Sequence, residues 1–318
     1  MASAVVAVGE CMLELSQARA GPCLGEGWRL GFGGDTFNTA LYLHRLGVPV
    51  AYLTALGTDP CSMELMRAWA DEGLDVSLVL SDATRQPGLY AIRTDVRGER
   101  SFQYWRSQSA ARALFRLPGI EAALATARRA ELLFLSGITL SLYETGERAR
   151  LQEVARAVRA AGGAVAFDPN YRPAGWPDED AARDALALMA AHTSIALPTF
   201  EDEQRLWGDR TPGDTADRWL QQGAREVVVK RGAAGCLVAS GRTRIGVAAE
   251  AVDRVVDTTG AGDAFNAGYL AARRRGESAD TAARAGHRLA AQVIQHAGAL
   301  LPRGIVRPPE GRAPDTPG

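Results

Sequence analysis

Residues 257–268 read Asp-Thr-Thr-Gly-Ala-Gly-Asp-Ala-Phe-Asn-Ala-Gly. Glycines and small residues run directly into a stretch with helical spacing, so backbone N–H groups that no side chain blocks can converge on an anion. The helix dipole adds positive potential at the same place. Asp263, in the first turn, can accept a proton from a hydroxyl that approaches a bound phosphate. The segment therefore predicts an anion cradle of Gly260, Ala261 and Gly262 with a catalytic Asp263 beside it.

The rest of the chain alternates short apolar runs with longer stretches of helical spacing, which is typical of a parallel sheet with helices on both faces. The predicted strands are Val5–Val8, Val50–Ala55, Leu132–Ser136, Ala164–Asp168, Ser194–Leu197 and Glu226–Lys230. The predicted helices are Thr36–Leu46, Ser62–Glu72, Glu144–Ala161, Asp178–Ala191, Thr215–Gln222, Gly262–Arg275 and Ser278–His296.

Two stretches, about residues 11–32 and 87–106, break this rhythm. The second has β-type runs on both sides of a turn at Asp95–Gly98. A hairpin inserted between α/β units cannot easily join a parallel sheet, so we expect a small β-sheet lid that covers one end of the domain. We predict one domain over residues 1–306 and, because residues 307–318 are rich in Pro, Gly and charge, a disordered tail.

Composition excludes several classes of protein. Lys and Arg number 36 against 37 Asp and Glu, so no excess of charge favours nucleic acid or an anionic membrane as partner. The four cysteines are scattered and predict free thiols in the cytoplasm. No signal peptide or membrane span is indicated. The only lysine, Lys230, is followed by Arg231 rather than Ser or Thr, which excludes a Walker-type P-loop.

Two motifs carry a resemblance to a known family. The pattern Asp257-Thr258-x-Gly260-Ala261-Gly262-Asp263-x-x-x-Ala267-Gly268 resembles the C-terminal signature of the ribokinase-like (PfkB) carbohydrate kinases. The stretch Gly33-Gly34-Asp35-Thr36-Phe37-Asn38-Thr39-Ala40 resembles their first signature, except at Thr36, where a small residue is usual. Within the family, this stretch and Gly98-Glu99-Arg100-Ser101-Phe102-Gln103-Tyr104-Trp105-Arg106 resemble the 2-keto-3-deoxygluconate kinase branch.

The resemblance implies a three-layer α/β/α sandwich with a mainly parallel central sheet and a lid. It implies a kinase that uses ATP and Mg²⁺ to phosphorylate the terminal hydroxyl of 2-keto-3-deoxygluconate, with Asp263 as general base. Recognition of a sugar acid requires guanidinium or tyrosine hydroxyl groups near its carboxylate. The expected sugar-binding residues are Gly34, Asp35, Asn38, Tyr90, Tyr104, Arg106 and Arg172.

The resemblance also assigns a nucleotide side to the site. Its expected residues are Asn170, Thr199, Lys230, Gly232, Gly235, Gly260 and Gly262. Many relatives have Asn-x-x-Glu where this chain has Thr199 and Asp202, so the Mg²⁺ ligand departs from the family pattern. Because Mg²⁺ keeps several waters, Asp202 or Glu203 can still hold it through water.

Two other functions stay open at this point. One is a kinase of a neutral sugar such as fructose or ribose, because fold alone does not decide the substrate. The other is a sugar-binding regulatory protein without catalysis, against which the intact Asp263 and its cradle argue. Exposed edges of the lid also predict a homo-oligomer, either a dimer through the lid or a higher assembly.

Overall fold

A computed structural model describes residues 4–17, 27–94 and 100–307. The strands within them are β1 (Val5–Val8), β2 (Met12–Gln17), β3 (Trp28–Gly33), β4 (Val50–Gly57), β5 (Val79–Asp82), β6 (Leu89–Thr94), β7 (Arg100–Trp105), β8 (Leu132–Ser136), β9 (Ala164–Asp168), β10 (Ile195–Ala196), β11 (Glu226–Lys230), β12 (Cys236–Ser240) and β13 (Thr243–Val247). The helices are α1 (Asp35–Arg45), α2 (Pro60–Glu72), α3 (Ile120–Ala127), α4 (Gly137–Ser141), α5 (Thr145–Ala160), α6 (Glu179–Ala190), α7 (Phe200–Trp207), α8 (Pro212–Gln221), α9 (Ala261–Arg274) and α10 (Ala279–Val293).

The larger sheet has the strand order β13-β12-β11-β10-β9-β8-β1-β4-β5 in the described residues. The strands from β11 to β5 run parallel, and β12 and β13 add an antiparallel edge. Side chains alternate between its two faces, as β1 illustrates. Val6 and Val8 belong to the core cluster that includes buried residues of α3, α5, α6 and α8. Val5 and Ala7 belong to the cluster that includes buried residues of α1, α2, α9 and α10. The predicted three-layer α/β/α sandwich is confirmed.

A separate four-stranded sheet, ordered β3-β2-β6-β7, forms the lid in the described part of the chain. Strands β6 and β7 are the predicted hairpin, in antiparallel register with Tyr90 opposite Tyr104. The lid meets the larger sheet through short connections: β1 leads into β2 by way of Gly9, Glu10 and Cys11. The expected turn at 95–98 and residues 308–318 of the expected tail 307–318 lie outside the described residues.

Several element boundaries differ from the sequence predictions for local reasons. Helix α8 begins at Pro212 rather than Thr215, because Thr211 and Asp214 form a reciprocal capping box one turn earlier. Helix α10 ends at Val293 rather than His296. The predicted strand 194–197 keeps only Ile195–Ala196. The prediction missed α3, α7, β5 and the β12–β13 edge, which are short or partly exposed and carry weak periodicity.

The parallel strands end at one edge of the larger sheet, where open α/β folds bind ligands. Asp168 ends β9 and Lys230 ends β11 at this edge. Helix α9 begins there as well, because Lys230 contacts the side chain of Asn266 in its second turn. No helix of the described ranges is both long and apolar enough to cross a lipid bilayer.

Candidate active site

Asp263 lies in the first turn of α9 and contacts α1. The amide of Asn38 donates to Asp263 Oδ2 at 2.8 Å, and Thr39 Oγ1 donates to the Asp263 carbonyl oxygen at 3.2 Å. Burial and the nearby Asp35 carboxylate raise the pKa of Asp263 to about 8, although the hydrogen bond from Asn38 opposes the rise. A carboxyl whose pKa lies near neutrality is suited to accept a proton during turnover.

The start of α9 leaves backbone N–H groups available to an anion. Gly260 caps the helix in a left-handed conformation, with φ 75°. Ala261 N–H donates to the Thr258 carbonyl at 3.2 Å. In the described ranges, the N–H groups of Gly260, Gly262 and Asp263 have no acceptor. The backbone at Gly260, Gly262 and Asp263 therefore has the geometry that the predicted cradle requires, whereas the amide of Ala261 is used within the turn. Anion binding there stays a prediction.

Asp257 holds the turn that leads into the cradle. Its carboxylate accepts from Thr259 N–H at 2.9 Å and from Gly298 N–H at 2.7 Å. The left-handed Gly260 packs closely against residue 299, and a Cβ at this glycine would lie 2.7 Å from the Cβ of Ala299. Residues 298 and 299, which follow α10, thus hold the backbone of residues 257–260 in place.

Residues predicted for the sugar side and the nucleotide side contact each other. The amide of Asn170 donates to Asp35 Oδ2 at 2.9 Å, and Asn170 N–H donates to Asp168 Oδ1 at 3.1 Å. Asn170 has a left-handed backbone, with φ 36°, which is uncommon for a residue other than glycine. Such backbone strain is concentrated at functional sites. Asn170 thus joins β9 to the first turn of α1.

The aromatic side chains of the lid form a row above this edge. Tyr90 and Tyr104 face each other across β6 and β7, with ring centroids 5.9 Å apart and stacked. Tyr90 is buried and its hydroxyl donates to Glu14, whereas Tyr104 is half exposed. A Cβ at Gly33 would lie 3.1 Å from the Tyr90 hydroxyl oxygen, so a larger residue there would crowd this hydroxyl.

Arg106, Arg172 and Asp35 lie near the hydroxyl group of Tyr104. Burial raises the pKa of the Tyr104 hydroxyl, whereas the charges of Arg106 and Arg172 lower it and that of Asp35 raises it. Arg106 forms an ion pair with the buried Glu10. These groups belong to the lid, to the segment after β9 and to α1, so the fold brings together side chains from three distant parts of the sequence.

On the predicted nucleotide side, the two glycines after β11 have left-handed backbones. The φ angle is 52° at Gly232 and 83° at Gly235, and a Cβ at Gly235 would lie 2.1 Å from the Val247 carbonyl oxygen. Thr199 precedes α7 and forms a parallel bridge with Lys230. The Lys230 side chain is buried and forms an ion pair with Asp168.

The two predicted Mg²⁺ ligands have different surroundings. Asp202 is partly exposed and accepts from Arg172 Nη1 at 3.0 and 3.1 Å. Glu203 is buried and accepts from Arg218 at 2.5 Å and from the Trp219 indole at 3.0 Å, so the structure does not bring it to the site. The described residues contain no group of three or more His, Cys, Asp or Glu side chains that could hold a metal ion.

Sequence reasoning missed four site residues. Glu10, Glu14, Asp168 and Asn266 are all buried and bonded to residues that the sequence had singled out. The signals for them were weak. Asp168 ends a predicted strand at the ligand-binding edge, and Asn266 lies three residues after Asp263 on the same helix face.

Comparison with known proteins agrees with this geometry. Residues 2–303 match the model of the pfkB family carbohydrate kinases. A 2-dehydro-3-deoxygluconokinase of Dickeya dadantii (strain 3937) is 44% identical over 305 residues, which cover 94% of this chain and 96% of the relative.

Two solved structures show the same ribokinase-like fold. A PfkB protein from Polaromonas sp. JS666 has a TM-score of 0.83 at 31% identity, covering 93% of this chain and 97% of that one. Aminoimidazole riboside kinase from Salmonella enterica, solved with aminoimidazole riboside and an ATP analog, has a TM-score of 0.76 at 25% identity, covering 93% and 94%. This chain is a sugar kinase and belongs to the pfkB family of carbohydrate kinases.

Proposed function

We propose that this chain transfers the γ-phosphoryl group of ATP to the terminal hydroxyl of 2-keto-3-deoxygluconate, which is also called 2-dehydro-3-deoxygluconate. The product is 2-keto-3-deoxy-6-phosphogluconate. The name of the 44% identical relative supports this substrate. The observation that carries the proposal is the position of Arg106 and Arg172 near Tyr104, because guanidinium groups suit the carboxylate of a sugar acid.

In the proposed mechanism, the Asp263 carboxylate accepts the proton of the terminal hydroxyl as that oxygen attacks the γ-phosphorus in line. A new oxygen–phosphorus bond forms, the bond to the bridging β–γ oxygen breaks, and ADP leaves. The N–H groups of Gly260 and Gly262, which have no acceptor among the described residues, stabilise negative charge on the phosphate oxygens. Asn38 orients the base, because its amide donates to Asp263 Oδ2.

The residues at the sheet edge offer several groups to the phosphates of ATP but, of the two predicted ligands, only one carboxylate to Mg²⁺. The backbone amides at the start of α9 and the glycine turn after β11 suit the phosphates of ATP. We propose that Asp202 holds Mg²⁺ through water, since its side chain is partly exposed at the site while Glu203 is buried elsewhere. Bound with ATP, Mg²⁺ would neutralise charge on the phosphate oxygens.

We further propose a homo-oligomer in the cytoplasm, joined through the lid. Leu15, Trp28, Ala91 and Trp105 line an apolar groove of about 670 Å³ on the lid. The described cysteines Cys11, Cys61 and Cys236 are free thiols, which is consistent with a reducing compartment.

The first test replaces the base. We expect Asp263→Asn to lower kcat about 10²–10⁴-fold with little change in either KM, because the variant retains the shape of the site but not the proton acceptor. The control is Asp71→Asn, on the exposed surface of α2, which we expect to leave turnover unchanged. Near-full turnover in Asp263→Asn would contradict the role of this residue.

A substrate panel separates the remaining functions. ADP release should be measured with 2-keto-3-deoxygluconate, gluconate, fructose and ribose. We expect kcat/KM to be highest for 2-keto-3-deoxygluconate. A preference for fructose or ribose would instead identify a neutral-sugar kinase, and binding of sugar without ADP release from any of the four would identify a regulatory protein.

A further inference from the structure

Lys230 has surroundings that the sequence did not predict. Its Nζ atom donates to Asp168 Oδ2 at 2.7 Å and to Asn266 Oδ1 at 3.1 Å. Asn266 closes the triangle, because its Nδ2 atom donates to the same Asp168 oxygen at 2.7 Å. The exposed fractions of the Lys230 and Asp168 side chains are only 9% and 5%. The ammonium group is therefore enclosed by protein partners.

The topology places this triangle directly behind the cradle. Asp168 ends β9, Lys230 ends β11, and Asn266 lies on α9 three residues after Asp263. A Cβ at Gly262 would lie 3.7 Å from the Lys230 Nζ atom. The triangle thus connects the edge of the sheet to the helix that carries the base.

The same triangle supplies charges that act on Asp263. The base faces Asp35 and the Tyr42 hydroxyl from α1, Asp168 from β9 and Lys230 from β11. The two carboxylates raise the pKa of Asp263, and the ammonium of Lys230 lowers it. In a site with low dielectric constant, an enclosed charge acts strongly on a neighbouring carboxyl group.

We propose that Lys230 is a positioning residue for the catalytic carboxylate and not a nucleotide contact. Held by Asp168 and Asn266, its ammonium fixes the start of α9 against the sheet and supplies a positive charge that favours the ionised form of Asp263. This inference rests on the proposed function of Asp263 as the general base. It assigns a role to Asp168 and Asn266 as well, because both hold the ammonium in place.

The pH dependence of kcat/KM tests the sign of these charges. The acid limb of this profile is the range in which kcat/KM falls as the pH is lowered. We expect Lys230→Met to shift the acid limb to higher pH by about one unit, which lowers the rate about tenfold on that limb. Asp168→Asn should shift the same limb downward, because it removes a negative charge near the base. The double variant Lys230→Met/Asp168→Asn should return the limb close to its original position. KM for ATP should change less than threefold in all three.

A direct contact between Lys230 and ATP predicts a different pattern. Lys230→Met would then raise KM for ATP tenfold or more, and the added Asp168→Asn change would not restore it. Either that result or an unmoved acid limb in Asp168→Asn would overturn the proposal. Asp168→Asn retains the lysine, so it remains informative if Lys230→Met fails to fold.

A matched control addresses general loosening of α9. At the opposite end of the same elements, Arg273 near the end of α9 pairs with Glu226 at the start of β11, at 2.9 Å. Arg273→Met also removes one cation that connects these two elements. We expect it to lower thermal stability without moving the acid limb. A shift of the limb equal to that of Lys230→Met would mean that any loosening of the helix suffices, and would overturn the electrostatic role.

The single lysine also allows a measurement that does not depend on activity. In protein labelled only with ¹⁵N-lysine, the side-chain signal comes from residue 230 alone. We expect the Nζ signal of the enclosed ammonium to be visible and to change little when a non-hydrolysable ATP analogue binds. It should move markedly in Asp168→Asn. A large shift on addition of the analogue would overturn the proposal.

These results separate the failure of the inference from the failure of the proposed function. Full turnover in Asp263→Asn would show that Asp263 is not the general base. The acid limb of the pH profile would then not report the ionisation of this residue. Loss of turnover in Asp263→Asn together with an ATP-dependent Nζ signal would keep the proposed kinase mechanism and reject only the role of Lys230.

Discussion

The pKa of Asp263 leads to a prediction for the rate. Burial and the Asp35 carboxylate raise this pKa from an ordinary value of 3.8 to about 8. As the proposed base, Asp263 must be ionised to act, so log kcat/KM for the sugar should rise with pH with a slope of about one and level off above pH 8. Initial rates between pH 5.5 and 9.5 test this expectation. A rate that is constant between pH 6 and 9 would contradict it.

Ionisation of Asp263 should favour the rate but lower the stability of the folded protein. Because the folded protein binds the proton of Asp263 more tightly than the unfolded chain does, the contribution of this group favours folding at low pH. That contribution declines as the pH rises from about 4 to about 8. Above pH 8 the ionised carboxylate of this proposed catalytic residue therefore reduces the free energy of unfolding, as is common for functional sites.

At the level of elements, the start of α9 depends on one glycine. Gly260→Ala should lower the free energy of unfolding by about 1–2 kcal/mol through its left-handed backbone and by a further ~1–3 kcal/mol through crowding against Ala299. Urea unfolding measures the sum of these two losses. The control is Gly276→Ala, which has a similar φ of 79° but no atom within 4 Å of the new Cβ. Equal losses in the two variants would contradict the role of Ala299.

The lid carries a prediction about specificity. Arg106 lies just after β7 and is paired with Glu10. If its guanidinium binds the substrate carboxylate, Arg106→Met should raise KM for 2-keto-3-deoxygluconate about 10–100-fold, the value of a charged hydrogen bond, and leave KM for ATP unchanged. Steady-state kinetics with each substrate varied in turn provide the test. An unchanged KM for the sugar acid would show that Arg106 serves only to hold Glu10.

At the level of the whole molecule, the outer surface of the lid predicts assembly. Leu30 and Trp105 have exposed fractions of 60% and 52%, and they lie on the sheet that lines the apolar groove. Large exposed apolar patches mark interaction sites. We expect wild-type protein to be oligomeric in light scattering, and Trp105→Glu to shift it toward monomer. Met63→Glu, on the exposed side of α2, is the control because that residue is 49% exposed outside the lid. A monomeric wild-type protein would contradict the prediction.

The layers of the molecule were predictable because they depend on local patterns. The strand Val5–Val8 and the helix that begins near Gly260 have clear periodicity or turn chemistry, and both were predicted to within a residue. The lid hairpin followed from two β-type runs that could not enter a parallel sheet. Short elements such as Phe200–Trp207 were missed, because eight residues carry too little periodicity.

Sequence by itself determined the α/β class and the kinase family resemblance, and it predicted the cradle at Gly260–Asp263, because a glycine-rich helix start can form an anion site from backbone atoms alone. Only the tertiary structure decided which side chains meet. It paired Lys230 with Asp168, Asn170 with Asp35 and Arg106 with Glu10, and it placed Glu203 away from the site. Each pairing joins residues far apart in the chain, and the order of the strands, which local composition does not encode, sets their distance.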